Sequence, residues 1–123
     1  MTTPSRKIYY TAVTRGQTIL VEYTEQKGNT FRNFTQDILR KIKPGQAILE
    51  YDGCDYFVDK DKNTDLIYLV CVEKGFSNQV GFEMLSKMRM RFNSLVDSRV
   101  IPSAKAFGLN PDFQNELKIL HVE

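Results

Sequence analysis

Two spacings of apolar residues alternate in this chain. Residues 7–14, "KIYYTAVT", and 18–24, "TILVEYT", are rich in β-branched and aromatic types, which suit a pleated surface, and read as two strands. Gly16 between them permits a tight reversal. From Thr30 the spacing becomes helical: Phe31, Phe34, Ile38 and Ile42 share one stripe, with Leu39 and Thr35 at its side. Thr30 is the expected N-cap. Arg40, Lys41 and Lys43 fall in the last turn, where cations favour the negative helix end, and Pro44-Gly45 stops the helix. Strand character returns at 46–51, "QAILEY". Asp52-Gly53 signals a hairpin, and 54–60, "CDYFVDK", runs back. A charged loop, 61–65, leads into "LIYLVCVE", 66–73. A long helix is predicted from Asn78 to Asp97. Met84, Leu85, Met88, Phe92, Leu95 and Val96 point inward, Phe82 lies at the edge, and Lys87, Met90 and Arg91 lie outside. In the last helix Asn110 is the cap, Pro111 the first turn, and Phe113, Leu117 and Leu120 the inner face.

The order is strand, strand, helix, three strands, two helices. Short reversals make the sheet antiparallel. "IYYTAV" and "LIYLVCV" are apolar at consecutive positions, so both sheet faces are covered. One helix on one face and two on the other give a three-layer α+β domain, a single unit over residues 1–123. Leu66 to Val72, the longest apolar run, is the expected central strand.

Bulk properties remove several functional classes. With 17 basic and 15 acidic residues the net charge is +2, so charge predicts no nucleic-acid partner. The run from Leu66 to Val72 is too short to span a bilayer. The polar N-terminus, "MTTPSRK", lacks the apolar core of a signal peptide, so the chain is expected in the cytosol. There, Cys71 reads as a buried structural thiol and Cys54 as a more exposed one, with a Cys54–Cys71 bridge as the alternative.

Candidate chemistry is sparse. Asp59, Asp61 and Asn63 have the spacing of the first three ligands of a calcium loop, but Thr64 and Val70 stand where that loop needs Gly and a bidentate Glu. His121, the single histidine, reads as a surface residue beside the C-terminus without an acidic or Cys neighbour; with two scattered cysteines a closed zinc site would need carboxylates, and a serine-type triad would have to draw its base from the fraying end. Glycines occur singly at turns, with no phosphate-binding loop. Asn33-Phe34-Thr35 matches a glycosylation sequon but lies on a predicted helix. "KMRMR", 87–91, puts only Lys87 and Arg91 outward, which is weak attraction for a membrane or nucleic acid. No catalytic, metal or cofactor site is expected. What remains is the profile of a binding module.

"AVTRGQTILVEYTEQKGN" followed by an amphipathic helix resembles the N-terminal longin domain of long R-SNAREs, and most of all the long vesicle-associated membrane protein group. "LRKI", "LEYDGCDYF", "IYLVCV", "GFEMLSKMRMRFN" and "NPDFQNEL" continue the likeness in order over residues 7 to 121. The resemblance implies a profilin-like fold, with a five-stranded antiparallel sheet between one helix and two. It implies a non-enzymatic regulatory domain in vesicle trafficking and membrane fusion. Such a domain controls SNARE assembly by folding back on a SNARE motif in cis, and binds SNARE or adaptor proteins in trans, on the cytoplasmic face of endosomal, vacuolar, Golgi or secretory membranes. The heptad SNARE motif and membrane anchor of that group do not appear before Glu123, so membrane contact would come only through a segment missing from this sequence, and the isolated domain is expected to be a monomer. A stand-alone longin-like scaffold subunit of an adaptor or tethering complex is the alternative. A profilin-like actin binder rests on architecture alone.

Longins bind peptide segments between the first helix and the third strand, and this chain offers that surface. "QAILEY" pairs only with the strand after its hairpin, leaving one edge open. Ala47, Leu49 and Tyr51 alternate onto one face. The expected groove is lined by Leu39, Leu49 and Tyr51, with Phe34 and Ile42 beneath.

Overall fold

The computed structural model describes residues 7–122. The first six residues of the polar N-terminal segment lie outside them, as does Glu123. The elements in chain order are β1 (Ile8–Arg15), β2 (Thr18–Tyr23), α1 (Thr30–Ile38), a 3-10 turn (Leu39–Lys41), β3 (Gly45–Tyr51), β4 (Cys54–Lys60), β5 (Leu66–Glu73), α2 (Asn78–Leu95), a second 3-10 turn (Ile101–Ser103) and α3 (Asn110–Val122). The strands form one antiparallel sheet in the order β2-β1-β5-β4-β3. β5 is central and buried from Leu66 to Val72, as its unbroken apolar run predicts.

Each face of the sheet carries its own core. On one, Ile38, Leu39 and Ile42 pack over Tyr10, Tyr56 and Leu69. On the other, Met88, Phe92, Phe113 and Leu117 cover Val13, Val70 and Val72. Phe92 meets Tyr68 and Phe113 edge to face, with ring centroids 5.9 and 5.2 Å apart. The three-layer α+β architecture and the chain order of its elements are those expected. The Asp52-Gly53 hairpin has positive φ at both central residues, 52° and 80°, the combination that suits the strand twist.

Several local expectations are corrected. The first helix ends at Ile38 rather than continuing to Lys43. Pro44 biases the residue before it towards extended backbone, and the chain tightens into the 3-10 turn before entering β3. Arg40, Lys41 and Lys43 therefore lie past α1. Thr30 is the first helical residue, and Asn29 occupies the cap position without a side-chain hydrogen bond. In α2, Leu95 is 56% exposed because the helix stops there; Val96, in extended conformation, takes the inward place. Arg91 is half-buried rather than outward.

The α2–α3 connection is a strap that the apolar pattern does not announce. It wraps the outer edge of β2, where the Phe107 and Leu109 amides donate to the carbonyls of Ile19 and Leu20 at 2.7 and 3.0 Å. Phe107 crosses to the α1 side of the sheet, and Leu109 returns to the α2–α3 core. Arg15 fastens the strap by donating to the carbonyls of Ile101 and Ala104.

Candidate functional site

β3 is a border strand that pairs with β4 alone, so its other backbone edge is open. Beside that edge, α1 lays a row of rings along the sheet. Tyr9 stacks on Phe31 at 5.0 Å, Phe31 meets Phe34 at 6.0 Å, and Phe34 meets Tyr51 at 5.1 Å between centroids. The Tyr51 hydroxyl donates to Asp37 Oδ2 at 2.7 Å, tying β3 to α1. That bond, and secondarily partial burial, raises the Tyr51 pKa. Below the rings, Thr35 is buried and its hydroxyl reaches the Tyr56 hydroxyl at 3.4 Å.

The five residues expected to line a groove do come together on this face, in a different depth order. Phe34, Leu49 and Tyr51 are half-buried and partly accessible. Leu39 and Ile42 are buried. Phe34 and Leu39 thus exchange the places predicted for them. The buried stripe runs through Thr35, Ile38, Leu39 and Ile42, at i, i+3, i+4 and i+7; the Leu39 amide still donates to the Thr35 carbonyl as in an α-helix, so Leu39 lies within the stripe and Phe34 at its margin.

A buried carboxylate holds α1 in place. Glu22 accepts a hydrogen bond from the Tyr10 hydroxyl at 2.6 Å and a bidentate pair from Arg32 of α1. Burial, and then Glu22, push the Tyr10 phenol far above its usual pKa. The Arg32 guanidinium also covers the Phe107 ring at 4.3 Å. The backbone of Glu22 is engaged from the opposite face: its amide donates to Asn110 Oδ1 at 3.0 Å, and Gln114 Nε2 donates to its carbonyl at 2.9 Å. The Asn110 side chain, expected to cap α3, is thus spent on β2.

The remaining candidates resolve into structural roles. Asp59 and Asp61 face Arg89, at 3.4 and 4.0 Å, so a cation already occupies the calcium-like loop. Arg89 also lies over the Tyr68 ring at 5.3 Å. His121 is not a surface residue. It is half-buried, 3.0 Å from the Thr11 hydroxyl and edge-on to Tyr23 at 4.7 Å. Burial pushes its pKa down to about 4, against a smaller opposing pull from Glu25. Cys54 and Cys71 are free thiols, half-buried and buried, and burial raises both pKa values. Among the described residues no group of three or more His, Cys, Asp or Glu is placed to hold a metal ion, and no helix is long and apolar enough to cross a membrane.

Five antiparallel strands in the order 2-1-5-4-3 between one helix and two define a profilin-like three-layer domain. The family model for longin, described as a regulated-SNARE-like domain, matches residues 20–117, and the chain belongs to that family. Domains of this family are not enzymes. The chain is 31% identical to vesicle-associated membrane protein 7B of Dictyostelium discoideum over 92% of its own length and 43% of that protein's. It is 30% identical to vesicle-associated membrane protein 725 of Arabidopsis thaliana, over 92% of the chain and 39% of that protein. Against human vesicle-associated membrane protein 7 the identity is 28%, over 89% of the chain and 49% of that protein. The chain thus spans about half the length of the curated relatives it matches.

Proposed function

We propose that this chain is the regulatory longin domain of an R-SNARE acting in vesicle trafficking. It would restrain SNARE assembly by folding back on its own SNARE motif, and would bind adaptor proteins through the same groove. The observation that carries this reading is the open β3 edge beside half-buried Phe34, Leu49 and Tyr51. An unpaired edge supplies backbone donors and acceptors, and the flanking rings supply apolar area. Leu49 and Tyr51 are already partly covered, so completing their burial contributes about 1 kcal/mol each, below the ~1.5–3 kcal/mol of a fully transferred side chain. Ordering the bound segment offsets part of that gain. The cytoplasmic face of endomembranes follows as the place of action.

The test is calorimetric titration with the part of the Dictyostelium relative that lies beyond the matched region. The wild-type chain should bind it. The double variant Leu49→Ser, Tyr51→Ser should not, while keeping the wild-type circular dichroism spectrum. Unchanged affinity in the folded double variant rules the groove out. A wild-type chain that ignores this segment but captures an adaptor fragment would favour the stand-alone scaffold reading.

A further inference from the structure

The groove beside α1 is only one side of the open edge. Side chains of β3 alternate. Ala47, Leu49 and Tyr51 lie opposite Val58, Tyr56 and Cys54, on the α1 side, and Gln46, Ile48 and Glu50 lie opposite Asp59, Phe57 and Asp55, on the α2 side. α2 packs over β5 and β4. Ile48 is consequently left 39% exposed. On that side of the sheet a cleft of about 540 Å³ opens between β3 and α2, lined by Gln46 from β3 and by Gln79, Phe82, Glu83, Ser86 and Lys87 from α2. The free backbone edge therefore stands between two clefts, one on each face of the sheet.

The ends of the edge also differ in charge. Arg40, Lys41 and Lys43 are exposed just before β3, and among the described residues no acidic side chain pairs with them. At the other end stands the exposed Asp52, while Glu50 is engaged by Lys74 at 2.8 Å. A strand added to β3 sends alternate side chains to opposite faces. One that fills both clefts needs apolar residues at consecutive positions, as any strand covered on both faces does. Every pairing already in the sheet is antiparallel. A sixth strand in that sense brings its C-terminal end to Arg40, Lys41 and Lys43. A helix laid in the α1 groove would leave the β3 backbone and the second cleft unused.

We propose that the β3 edge takes an extended peptide segment that is apolar at consecutive positions, acidic at its C-terminal end, and paired antiparallel with β3 so that it fills both clefts. This rests on the reading of the edge as the docking site and specifies the segment it selects.

The probes are three labelled synthetic peptides, measured by fluorescence anisotropy on the intact chain. The first has five consecutive Val and Leu residues followed by three Glu. The second carries the three Glu before the apolar run. The third keeps the C-terminal Glu but has Ser at alternate apolar positions. The first should bind about tenfold tighter than either of the others at low salt, and its advantage over the second should shrink as salt screens the basic cluster. Ile48→Ser, an exposed position, should weaken the first peptide about fivefold without moving the melting temperature. The double variant Lys41→Glu, Lys43→Glu should abolish or reverse the preference between the first two peptides. Equal affinities for all three, no binding by any, or a silent Ile48→Ser overturns the proposal. So does capture of the wild-type chain by phosphatidylserine vesicles, lost in Lys41→Glu, Lys43→Glu, without peptide binding. If the Leu49, Tyr51 double variant still loses the relative's segment while these tests fail, the docking edge stands and its two-sided, charge-directed selectivity falls.

Discussion

Replacing Gly81 with alanine sets two opposing effects against each other. In a helix interior alanine is preferred over glycine by about 1 kcal/mol, so sequence alone predicts a more stable protein. Gly81 sits in the first turns of α2 and is buried against β4. A Cβ built on it lies 2.4 Å from Cδ2 and Cε2 of Phe57 and 2.9 Å from Cγ. Carbon atoms in contact prefer about 3.5–4.0 Å, so ring and helix must separate by about 1 Å. The Phe57 ring cannot simply swing away. It is fully buried and meets Phe76 and Phe82 edge-on, at 6.3 and 5.1 Å between centroids. Overpacking of this kind costs roughly 1–3 kcal/mol, and the hemmed ring argues for the upper half of that range. The net effect is destabilisation by about 1–2 kcal/mol, a fall in melting temperature of about 4–8 °C for a domain of this length.

The assay is thermal unfolding of Gly81→Ala, of Phe57→Leu and of the two combined. With the ring removed, alanine should recover its helix preference, so its cost in the Phe57→Leu background should fall to zero or change sign. A Gly81→Ala protein that melts at or above the wild-type temperature refutes the steric argument. An equal cost in both backgrounds refutes the assignment to Phe57.

Three further outcomes are expected. Leu69→Asp should abolish cooperative unfolding by urea or heat, because Leu69 is fully buried between Ala12 and Val58 on the central strand and an unpaired charge there costs several kcal/mol; a melting temperature within a degree or two of wild type would show that the strand is not central. Arg32→Ala should cost about 2 kcal/mol in urea titration, since it leaves the Glu22 carboxylate, with only 9% of its side chain accessible, to the Tyr10 hydroxyl alone; Arg32→Lys should recover less than half, lacking the bidentate fork. His121 is neutral in the fold down to about pH 4, whereas an unfolded histidine takes up its proton near 6.5. The unfolded state therefore binds more protons between these values, and wild type should lose about 1–2 kcal/mol relative to His121→Gln as pH falls from 7 to 4; parallel stability curves for the two proteins would show that the histidine is not desolvated.

Much of the architecture was legible because each layer obeys one spacing. Consecutive apolar residues in "IYYTAV" and "LIYLVCV" marked strands covered on both faces, and Asp52-Gly53 fixed one hairpin. Phe113, Leu117 and Leu120 fell inward because α3 keeps the helical period throughout. Errors gathered at stripe margins and helix ends. The buried stripe of α1 runs through Thr35, Ile38, Leu39 and Ile42, so Leu39 lies deep and Phe34 stays accessible; a buried threonine in the stripe hides its centre from an apolar count. Leu95 missed the core because α2 stops there. Contacts between residues far apart in sequence were out of reach altogether. Nothing in the sequence singles out Glu22, and only the fold brings it Arg32, Tyr10, Asn110 and Gln114. His121 looked partnerless because Thr11 and Tyr23 are at the other end of the chain.

The treatment of the two sheet edges gives these contacts a common sense. An open strand edge invites unwanted pairing, and folds usually cover it or blunt it. The β2 edge is covered. Phe107, Leu109, Asn110 and Gln114 satisfy the outer groups of Ile19, Leu20 and Glu22. Phe107 adopts φ +59° there, a left-handed backbone that a phenylalanine rarely takes and that the surrounding bonds must enforce. At the β3 edge the fold takes the other course. That strand keeps its backbone free, but its length of seven residues, Pro44 before it and the charges at Lys43 and Glu50 limit the unwanted pairing that an open edge invites. A strained strap thus closes one border, while apolar Ile48, Leu49 and Tyr51 stay partly accessible along the other. Glu22 ties α1 and α3 to the β2 border, so the docking proposed at β3 would not require either helix to move.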